Sequence, residues 1–454
     1  MYNYCEKNLK IPTIFNNSNF FSVIAMLNAI FNLFRRINPE MIVQAPARIN
    51  LINPLDAVEG DFWMPSVAIN GIDNMLSVFL YIKKTEDYCK LLFYKIKNEN
   101  NFYEILIEYE EQLNKKFEHF KEKFIGENKI IYATLYRFYR TISLFRERFN
   151  GSNIEIGIIT TIPKQSGLGG SAAIIIALIY GLANYFKIYN NLSGLKEKDF
   201  PINKDIIAEM ATKVEDQDLK ITAGYSDRYV ICRGGLCFCS YYGKLHHREL
   251  SKEPLAICDR IDKIYNIKNL PIIVCYSGVS HHSGNVHDRL RKLYFNGNAK
   301  IVKNYKKLAE ISWKSRFALM KHNWQLLGTY FNENTKIMNE IMIDAGFEHG
   351  IGPANNILIK IIEDHPDVYA AKLTGAGGGG SVFALVNPNK IEYVLNDWKN
   401  NLNEIIENEN VFNKKFYNYP LEIRTKLKDA KFFKVEINQK GVSLIKNKYL
   451  IRKI

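Results

Sequence analysis

The segment Pro163–Ala173, with the sequence PKQSGLGGSAA, decides the fold class of this chain. It follows an apolar segment, Ile154–Ile159, that predicts a strand, and it leads into Ser171–Phe186, a small and apolar segment that predicts a helix. Glycines let backbone N–H groups turn inward, and a helix start adds partial positive charge. The segment therefore predicts a cradle for an anion such as a phosphate chain, or else a tight strand-to-helix turn. It matches neither the Walker pattern nor GxGxxG.

A second glycine-rich loop lies near the C-terminus, where Lys372–Ser381 has the sequence KLTGAGGGGS. It stands between two predicted strands, Val368–Leu373 and Ser381–Val386. Each glycine weakens local order relative to a residue with a side chain, so a purely stabilising origin for so many glycines is disfavoured. The loop predicts close approach of the backbone to a ligand or to the first loop, with a flexible hairpin as the alternative.

The chain around these loops predicts mixed α and β structure. Met41–Gln44 and Ile49–Ile52 are predicted strands joined by a turn at Ala45–Arg48. Apolar residues recur at helical spacing through Tyr132–Phe149, which predicts one helix. A further strand is predicted over Tyr229–Ser240, around a pair of glycines.

An apolar segment near the N-terminus, Phe20–Phe34, is shorter than the roughly 20 residues that a membrane-spanning helix needs. Its residues Ile24, Leu27, Phe31 and Phe34 recur at helical spacing, which predicts a helix packed on the main body. A cleaved signal peptide is the alternative, and it is disfavoured because no small-residue cleavage site follows. We therefore expect a cytoplasmic protein without membrane contact.

The composition is that of a globular protein with more than one domain. The 454 residues are 47% hydrophobic and 24% charged, which excludes disordered and collagen-like classes. The net charge of +14 comes from scattered basic residues in a chain rich in Lys, Asn and Ile, so we do not expect nucleic-acid binding. Cys232, Cys237 and Cys239 lack paired metal-ligand spacing and are expected to be buried strand thiols. Metal binding is likewise not expected of the histidines His281, His282 and His287.

Three motifs, in this order, resemble those of the GHMP superfamily of small-molecule kinases. They are Ala45–Ile52 (APARINLI), Gly167–Ala173 (GLGGSAA) and Lys372–Gly380 (KLTGAGGGG). Two departures are that Ala47 replaces the usual glycine and Gly170 replaces the first serine of the common Ser-Ser pair. The resemblance covers roughly residues 41–450.

The resemblance implies an α+β fold with two lobes and an active site between them. The N-terminal lobe would be like the second domain of ribosomal protein S5, and the C-terminal lobe would be ferredoxin-like. We divide the chain into an extension at 1–40, an N-terminal ATP-binding domain at 41–245 and a C-terminal domain at 246–454.

Within the superfamily the glucuronokinase-like branch is the most similar, through Asn53–Asp56, Ala223–Arg228 and Ser283–His287. This implies transfer of the ATP γ-phosphate to the anomeric hydroxyl of a sugar or sugar acid, with a glucuronate-like substrate favoured. Alternatives are a heptose phosphate, galactose or mevalonate-type acceptor, a decarboxylase of the same superfamily, and a catalytically silent nucleotide-binding relative. The expected partner is the small-molecule substrate, and the protein is expected to act as a monomer or homodimer.

The resemblance also assigns residues to ATP and Mg²⁺. The ATP-binding residues are Pro163, Ser166, Gly167, Leu168, Gly169, Gly170, Ser171, Ala172, Gly375, Gly377 and Gly378. The hydroxyl of Ser171 and the carboxylate of Glu215 would bind Mg²⁺, which prefers oxygen ligands. Asp216 and Asp218 are alternatives to Glu215, because they crowd it in the sequence.

The same resemblance assigns residues to catalysis and to the acceptor. Asp227 would orient or deprotonate the acceptor hydroxyl, and Arg48 would steady the charge around it. The substrate-binding residues are Asn53, Asp56, Gly224, Arg228 and Gly377. Asp56 would bind sugar hydroxyls, with a structural turn cap as the alternative, and Arg228 would pair with a uronate carboxylate.

Overall fold

The computed structural model describes residues 17–53, 55–58, 63–72, 75–99, 102–190, 202–241, 249–250, 254–280 and 283–445. Their strands are β1 (Met41–Asn50), β2 (Trp63–Gly71), β3 (Ser77–Lys84), β4 (Lys90–Glu99), β5 (Phe102–Gln112), β6 (Ile154–Thr160), β7 (Leu236–Tyr241), β8 (Ala256–Arg260), β9 (Ile272–Tyr276), β10 (Val368–Thr374), β11 (Ser381–Val386), β12 (Lys431–Ile437) and β13 (Ser443–Leu444).

The helices lie on both faces of the sheet that these strands form. They are α1 (Asn17–Ile37), α2 (Phe117–Glu122), α3 (Lys129–Thr141), α4 (Ser143–Asn150), α5 (Gly170–Tyr185), α6 (Lys204–Lys213), α7 (Ser226–Arg233), α8 (Ile261–Ile264), α9 (Ser283–Phe295), α10 (Ala299–Met320), α11 (Trp324–Asp344), α12 (Pro353–Lys360), α13 (Ile391–Glu407), α14 (Glu409–Phe416) and α15 (Glu422–Lys426). Among the described helices, none combines the length and apolarity that crossing a bilayer requires.

The sheet runs continuously in the order β10-β11-β9-β12-β2-β1-β3-β6-β4-β5, with β7, β8 and β13 off this path. β12 joins its two halves, because it pairs with β9 on one side and with β2 on the other. β8 still pairs with β7, so residues 256–260 extend the N-terminal half of the sheet. The proposed boundary at residue 245 lies outside the described residues and stays a prediction.

The predicted turn at Ala45–Arg48 is wrong, because this segment lies inside the continuous strand β1. The first half of β1, as far as Pro46, pairs with β3, and its second half, from Ala47, pairs with β2 on the opposite edge. Proline has no N–H to donate to a sheet. Pro46 is tolerated because it lies where the strand exchanges one partner for the other.

Two other predicted elements differ in the structure. The helix predicted over Tyr132–Phe149 is two helices, α3 and α4, because the backbone at Ile142 is extended. The first part of the strand predicted over Tyr229–Ser240 belongs to α7. Gly234 ends α7 with a positive φ of 75°, a conformation that glycine adopts without a steric penalty, and β7 begins two residues later.

The helices α1 and α5 pack on opposite faces of the N-terminal half of the sheet. Gly181 of α5 lies against Leu80 of β3, whereas α1 packs in a cluster with Phe79 and Tyr81 of the same strand. Because successive side chains of a strand point to opposite faces, these contacts place the two helices on opposite faces. The glycine-rich loop that precedes α5 is thus held by a buried helix that packs on a buried sheet.

The predicted N-terminal helix is confirmed as α1, but its apolar face differs from the prediction. The buried side chains of its described part are Met26, Ile30, Leu33 and Phe34. Leu27 and Phe31 are half-buried, and the side chain of Ile24 lies outside the described residues. Met26, Ile30 and Leu33 thus each lie one residue before a position that the sequence predicted to be buried.

Candidate active site

The loop between β6 and α5 opens into a cavity of about 1470 Å³. Gly169 adopts a left-handed φ of 83°, and a Cβ there would come within 3.0 Å of the Arg48 Cγ atom. No side-chain hydrogen bond caps the start of α5. Gly169, Gly170 and Ser171, which form this start, line the cavity. The uncapped amides and the helix dipole make this position suitable for a phosphate group.

The structure brings most of the predicted ATP-binding residues to this cavity, namely Pro163, Ser166, Gly167, Gly169, Gly170, Ser171, Ala172 and Gly375. Leu168 is buried instead, and its carbonyl accepts a bond from the Arg48 N–H at 3.0 Å. Gly377 and Gly378 also lie off the cavity. A Cβ on Gly377 would meet the Leu373 side chain at 3.3 Å, and the Gly378 N–H donates to the Ile351 carbonyl at 2.8 Å.

The two glycine-rich loops meet, as the sequence predicted. A Cβ on Gly375 would lie 3.3 Å from the Gly167 Cα atom, so a side chain at Gly375 would crowd the first loop. The Ser381 hydroxyl, just after the second loop, donates to the Ser166 carbonyl at 2.7 Å. The second loop therefore supports the first from the C-terminal half of the molecule.

Asp227 and Arg48 form a buried ion pair at the edge of the phosphate loop. The Arg48 Nη2 atom donates to Asp227 Oδ2 at 2.5 Å, and its Nη1 atom donates to the Gly167 carbonyl at 2.5 Å. Burial opposes ionisation of Asp227, but Arg48 and Arg228 outweigh it and lower the pKa of Asp227 to about 2. The pair thus places an ionised carboxylate beside the predicted phosphate site.

Glu215 lines the same cavity and pairs with Arg228, whose Nη2 atom donates to Glu215 Oε2. Arg228 also donates to the Gly224 carbonyl at 2.9 Å and contacts Asp227 at 3.5 Å. Two arginines and two carboxylates therefore alternate across the site. Because Glu215 already neutralises Arg228, this arginine is not a ready partner for the carboxylate of a uronate substrate.

The GHMP kinases N terminal domain matches residues 136–235, and the GHMP kinases C terminal domain matches residues 318–404. The chain is thus similar to the GHMP kinases in both of their domains. Probable glucuronokinase 2 of Arabidopsis thaliana is 24% identical over 250 residues, which cover 54% of this chain and 61% of the relative. D-glycero-alpha-D-manno-heptose 7-phosphate kinase of Campylobacter jejuni is 24% identical over 234 residues, covering 50% and 60%. The match spans about 60% of the length of these curated relatives.

Solved structures share the fold of these GHMP domains. Galactokinase of Lactococcus lactis superposes with a TM-score of 0.60 at 15% identity, covering 92% of this chain and 99% of that one. Mevalonate kinase of Methanococcus jannaschii superposes with a TM-score of 0.55 at 19% identity, covering 87% and 98%. The predicted two-lobed α+β GHMP kinase fold is thereby confirmed.

Asp216 and Asp218 are both paired with arginines. Asp216 accepts a bond from Arg291 of α9 at 2.7 Å, and both carboxylate oxygens of Asp218 accept from Arg137 of α3, at 2.6 and 2.7 Å. Neither aspartate lines the cavity, whereas Glu215, which directly precedes Asp216, does. A short π-helical turn, Val214–Asp218, carries all three. All three carboxylates pair with an arginine, so it is the position of Glu215 on the cavity that favours it over its neighbours as a metal ligand.

Asp56 caps the helix that carries Asp227. Its Oδ2 atom accepts bonds from the backbone N–H groups of Tyr225 and Ser226, the latter at 2.7 Å. Gly224 lines the cavity as predicted. A Cβ at this position would lie 2.5 Å from that same oxygen, so the glycine makes room for Asp56. The predicted role of Asp56 as a sugar ligand stays a prediction, and the cap alternative has direct support in these bonds.

Asn53 lies behind the cavity and not on its surface. Its Nδ2 atom donates to the Gly375 carbonyl at 3.1 Å, and its Oδ1 atom accepts from the buried Lys372 ammonium at 3.4 Å. Lys372 is fully buried, and this burial lowers its pKa to about 7. Asn53 therefore links the first motif to the second glycine loop, a structural role that the sequence did not indicate.

The structure places several residues in the site to which the sequence assigned no role. Asn50 donates to Asp227 Oδ1 at 2.9 Å and in turn accepts from the Ser66 hydroxyl at 2.6 Å. The signal for Asn50 was its position two residues after Arg48 on one strand, which places both on the same face. Other cavity-lining residues without a predicted role include Phe93, Tyr109, Asn128, Asn285 and His287.

The cysteine and histidine predictions are partly corrected. Cys232 is buried in α7 and not in a strand, whereas Cys237 and Cys239 are buried in β7 as predicted. His281 and His282 lie outside the described residues. In the described part of the chain, no group of three or more His, Cys, Asp or Glu side chains is arranged to hold a metal by itself.

Proposed function

We propose that this protein is an ATP- and Mg²⁺-dependent kinase that phosphorylates the anomeric hydroxyl of a sugar or sugar acid, with a glucuronate-like acceptor favoured. The observation that carries the proposal is the Arg48–Asp227 pair in the same cavity as the glycine loop at Gly167. Phosphoryl transfer needs positioning and charge stabilisation more than covalent chemistry by the protein, and this pair offers both beside the phosphate cradle. The named glucuronokinase relatives support the acceptor class.

The phosphate cradle has donors that suit a triphosphate. The Ser166 hydroxyl is buried and has no hydrogen-bond partner among the described residues. The first amides of α5 have no side-chain cap. Buried polar groups are normally paired, so these donors indicate a place for phosphate oxygens.

Ser171 and Glu215 would hold Mg²⁺, which when bound neutralises charge on the phosphates. Ser171 is exposed on the cavity, and Glu215 reaches the cavity from the π-helical turn. Magnesium sites of this kind typically use one or two protein oxygens together with phosphate oxygens and water. Arg228 engages the Oε2 atom of Glu215, so the Oε1 atom and the Ser171 hydroxyl would be the protein oxygens that bind the ion.

Asp227 would hold and orient the acceptor hydroxyl. A carboxylate with a pKa of about 2 is a weak base at neutral pH, so it would take up the hydroxyl proton only as the new O–P bond forms. Arg48 keeps the carboxylate ionised and ties it to the phosphate loop through the Gly167 carbonyl. Asn50 fixes the other carboxylate oxygen, which limits rotation of the side chain.

The decisive experiment compares ADP release over a panel of four candidate acceptors. We expect ADP release with ATP and Mg²⁺ to be fastest for glucuronate among glucuronate, galactose, a heptose 7-phosphate and mevalonate, because two glucuronokinases are 24% and 26% identical to this chain over 250 and 247 residues. Product analysis by ³¹P NMR would locate the phosphate on the anomeric oxygen. A preference for heptose phosphate or mevalonate would correct the acceptor and keep the kinase. ATP binding with no turnover on any acceptor would overturn the proposal in favour of a silent nucleotide-binding relative.

A further inference from the structure

Three cysteine thiols converge between β7 and β8, apart from the residues of the candidate active site. Cys239 and Cys258 are direct partners across this antiparallel strand pair, and their Sγ atoms are 3.3 Å apart. Cys237 lies two positions before Cys239, so its side chain emerges on the same face of β7. The sequence separates Cys258 from the other two and gave no indication of this contact.

The backbone at Cys239 and Cys258 already suits a disulfide bond. Directly opposed residues of antiparallel strands have Cα atoms about 4.5 to 5.5 Å apart. Disulfides require Cα separations of about 4.4 to 6.8 Å. The register of β7 and β8 therefore brings the Cα atoms of Cys239 and Cys258 into the range that a disulfide requires.

The three thiols differ in reactivity. Cys258 is half-buried, whereas Cys237 and Cys239 are buried. The neighbouring thiols of Cys237 and Cys239, with the positive charge of Arg233 nearby, hold the pKa of Cys258 well below its usual range. The thiolate is the nucleophilic form of cysteine, so Cys258, the least buried of the three residues, is the thiol that reacts first with an oxidant.

We propose that Cys258 and Cys239 form a peroxide-reactive dithiol that closes to an intramolecular disulfide. In the first step the Cys258 thiolate attacks one oxygen of hydrogen peroxide, the O–O bond breaks, and the departing hydroxide takes up a proton to give water. In the second step Cys239 attacks the sulfur of the Cys258 sulfenic acid, the S–O bond breaks, and the Cys239 proton leaves with the hydroxide as water. Two thiols and one peroxide become one disulfide and two waters.

The test uses the purified, reduced full-length protein treated with hydrogen peroxide. We expect the mass to fall by about 2 Da and the titratable thiols of the denatured protein to drop by two from the seven of the sequence. Trypsin would cut after Arg233, Lys244, Lys252 and Arg260. The disulfide would then join peptides 234–244 and 253–260, and fragment ions would separate Cys239 from Cys237. A thiol reductant should restore all seven thiols.

Matched serine variants test the assignment. C258S and C239S should each abolish the loss of two thiols, whereas C275S should retain it, because Cys275 is a buried thiol on a distant strand, β9. A disulfide mapped between Cys237 and Cys258 would overturn the assignment of Cys239. Sulfinic acid at Cys258 without a cross-link, or seven unreacted thiols, would overturn the dithiol itself. The mapping on the wild-type chain stands even if a variant fails to fold.

Discussion

Asp227 shows how much of the candidate site depends on single residues from distant parts of the chain. Its carboxylate receives bonds from Arg48 and Asn50 of β1, and it contacts Arg228 next to it in the sequence. Leaving a charge buried without these partners would be costly, so the arginines keep Asp227 ionised and in place. Lys372 is the opposite case, a buried ammonium held by an amide and a carbonyl oxygen alone among its described hydrogen bonds.

Replacing Asp227 with asparagine should remove catalysis and leave nucleotide binding in place. Asn keeps the shape and can still accept a bond from Arg48, but it cannot carry the negative charge or accept the acceptor proton. We expect turnover to fall by about 100-fold or more. ADP release measures turnover, and calorimetric titration with ATP measures binding. Turnover within about tenfold of the wild type would contradict the role of Asp227.

Replacing Lys372 with methionine should change how stability depends on pH. Lys372 has a pKa of about 7 in the folded chain against an ordinary value of 10.5. Between these two pKa values the unfolded chain binds one more proton than the folded chain. The ratio of folded to unfolded wild-type protein therefore rises by up to about tenfold for each unit of increasing pH. Below pH 7 both states are protonated and the folded state carries the full cost of burying the charge.

Urea unfolding at pH 7, 8 and 9 measures this dependence. We expect K372M to lose the rise in unfolding free energy that the wild type shows across this window. The exposed Lys303 provides a matched control, and K303M should keep the rise. Parallel curves for wild type and K372M would mean that the Lys372 ammonium stays protonated when buried.

At the scale of elements, the site is built from short segments that long-range contacts fix at their ends. α7 carries Asp227 and begins against the carboxylate of Asp56. The π-helical turn Val214–Asp218 carries Glu215. Arg137 and Arg291 hold this turn in place through ion pairs with Asp218 and Asp216. Such a turn is uncommon and is found often at functional sites, where it re-aims one side chain.

Replacing Asp56 with alanine tests whether this residue is a cap or a sugar ligand. As a cap, D56A should lower the unfolding free energy by about 1 to 2 kcal/mol and reduce turnover, because α7 would lose the acceptor of its first amides. D56N keeps one carbonyl oxygen and should recover part of the stability. Denaturant unfolding and steady-state kinetics provide the two readouts. A raised acceptor KM with unchanged stability would instead identify Asp56 as a substrate ligand.

At the scale of the whole molecule, one sheet carries both halves of the site, and helices cover its two faces. β12 returns from the C-terminal half to pair with β2, so the two glycine loops are brought together by a continuous sheet. The face opposite α5 is covered by α1, whose Phe34 contacts Phe79 and Tyr81. The helix that precedes the matched GHMP domains is therefore part of the folded core.

Replacing Phe34 with alanine should measure what α1 contributes to stability. Phe34 is 0% exposed and packs between two aromatic rings, so its removal leaves a cavity. We expect F34A to lower the unfolding free energy by about 3 to 5 kcal/mol. The control is N32A on the exposed face of the same helix, which should change stability by less than about 0.5 kcal/mol. Equal stability of F34A and wild type would show that α1 does not pack on the sheet in solution.

The sequence by itself determined the features that depend on local backbone chemistry. The glycines of Gly167–Gly170 and Gly375–Gly380, the strand before α5 and the order of the three motifs were all readable, because steric limits and apolar periodicity act over a few residues. Only the tertiary structure decided which charges meet. Arg48 reaches Asp227 across 179 residues, and the partners of Asp216, Asp218 and Glu215 come from other elements. Pairing of this kind depends on the packing of whole elements, which no local pattern specifies.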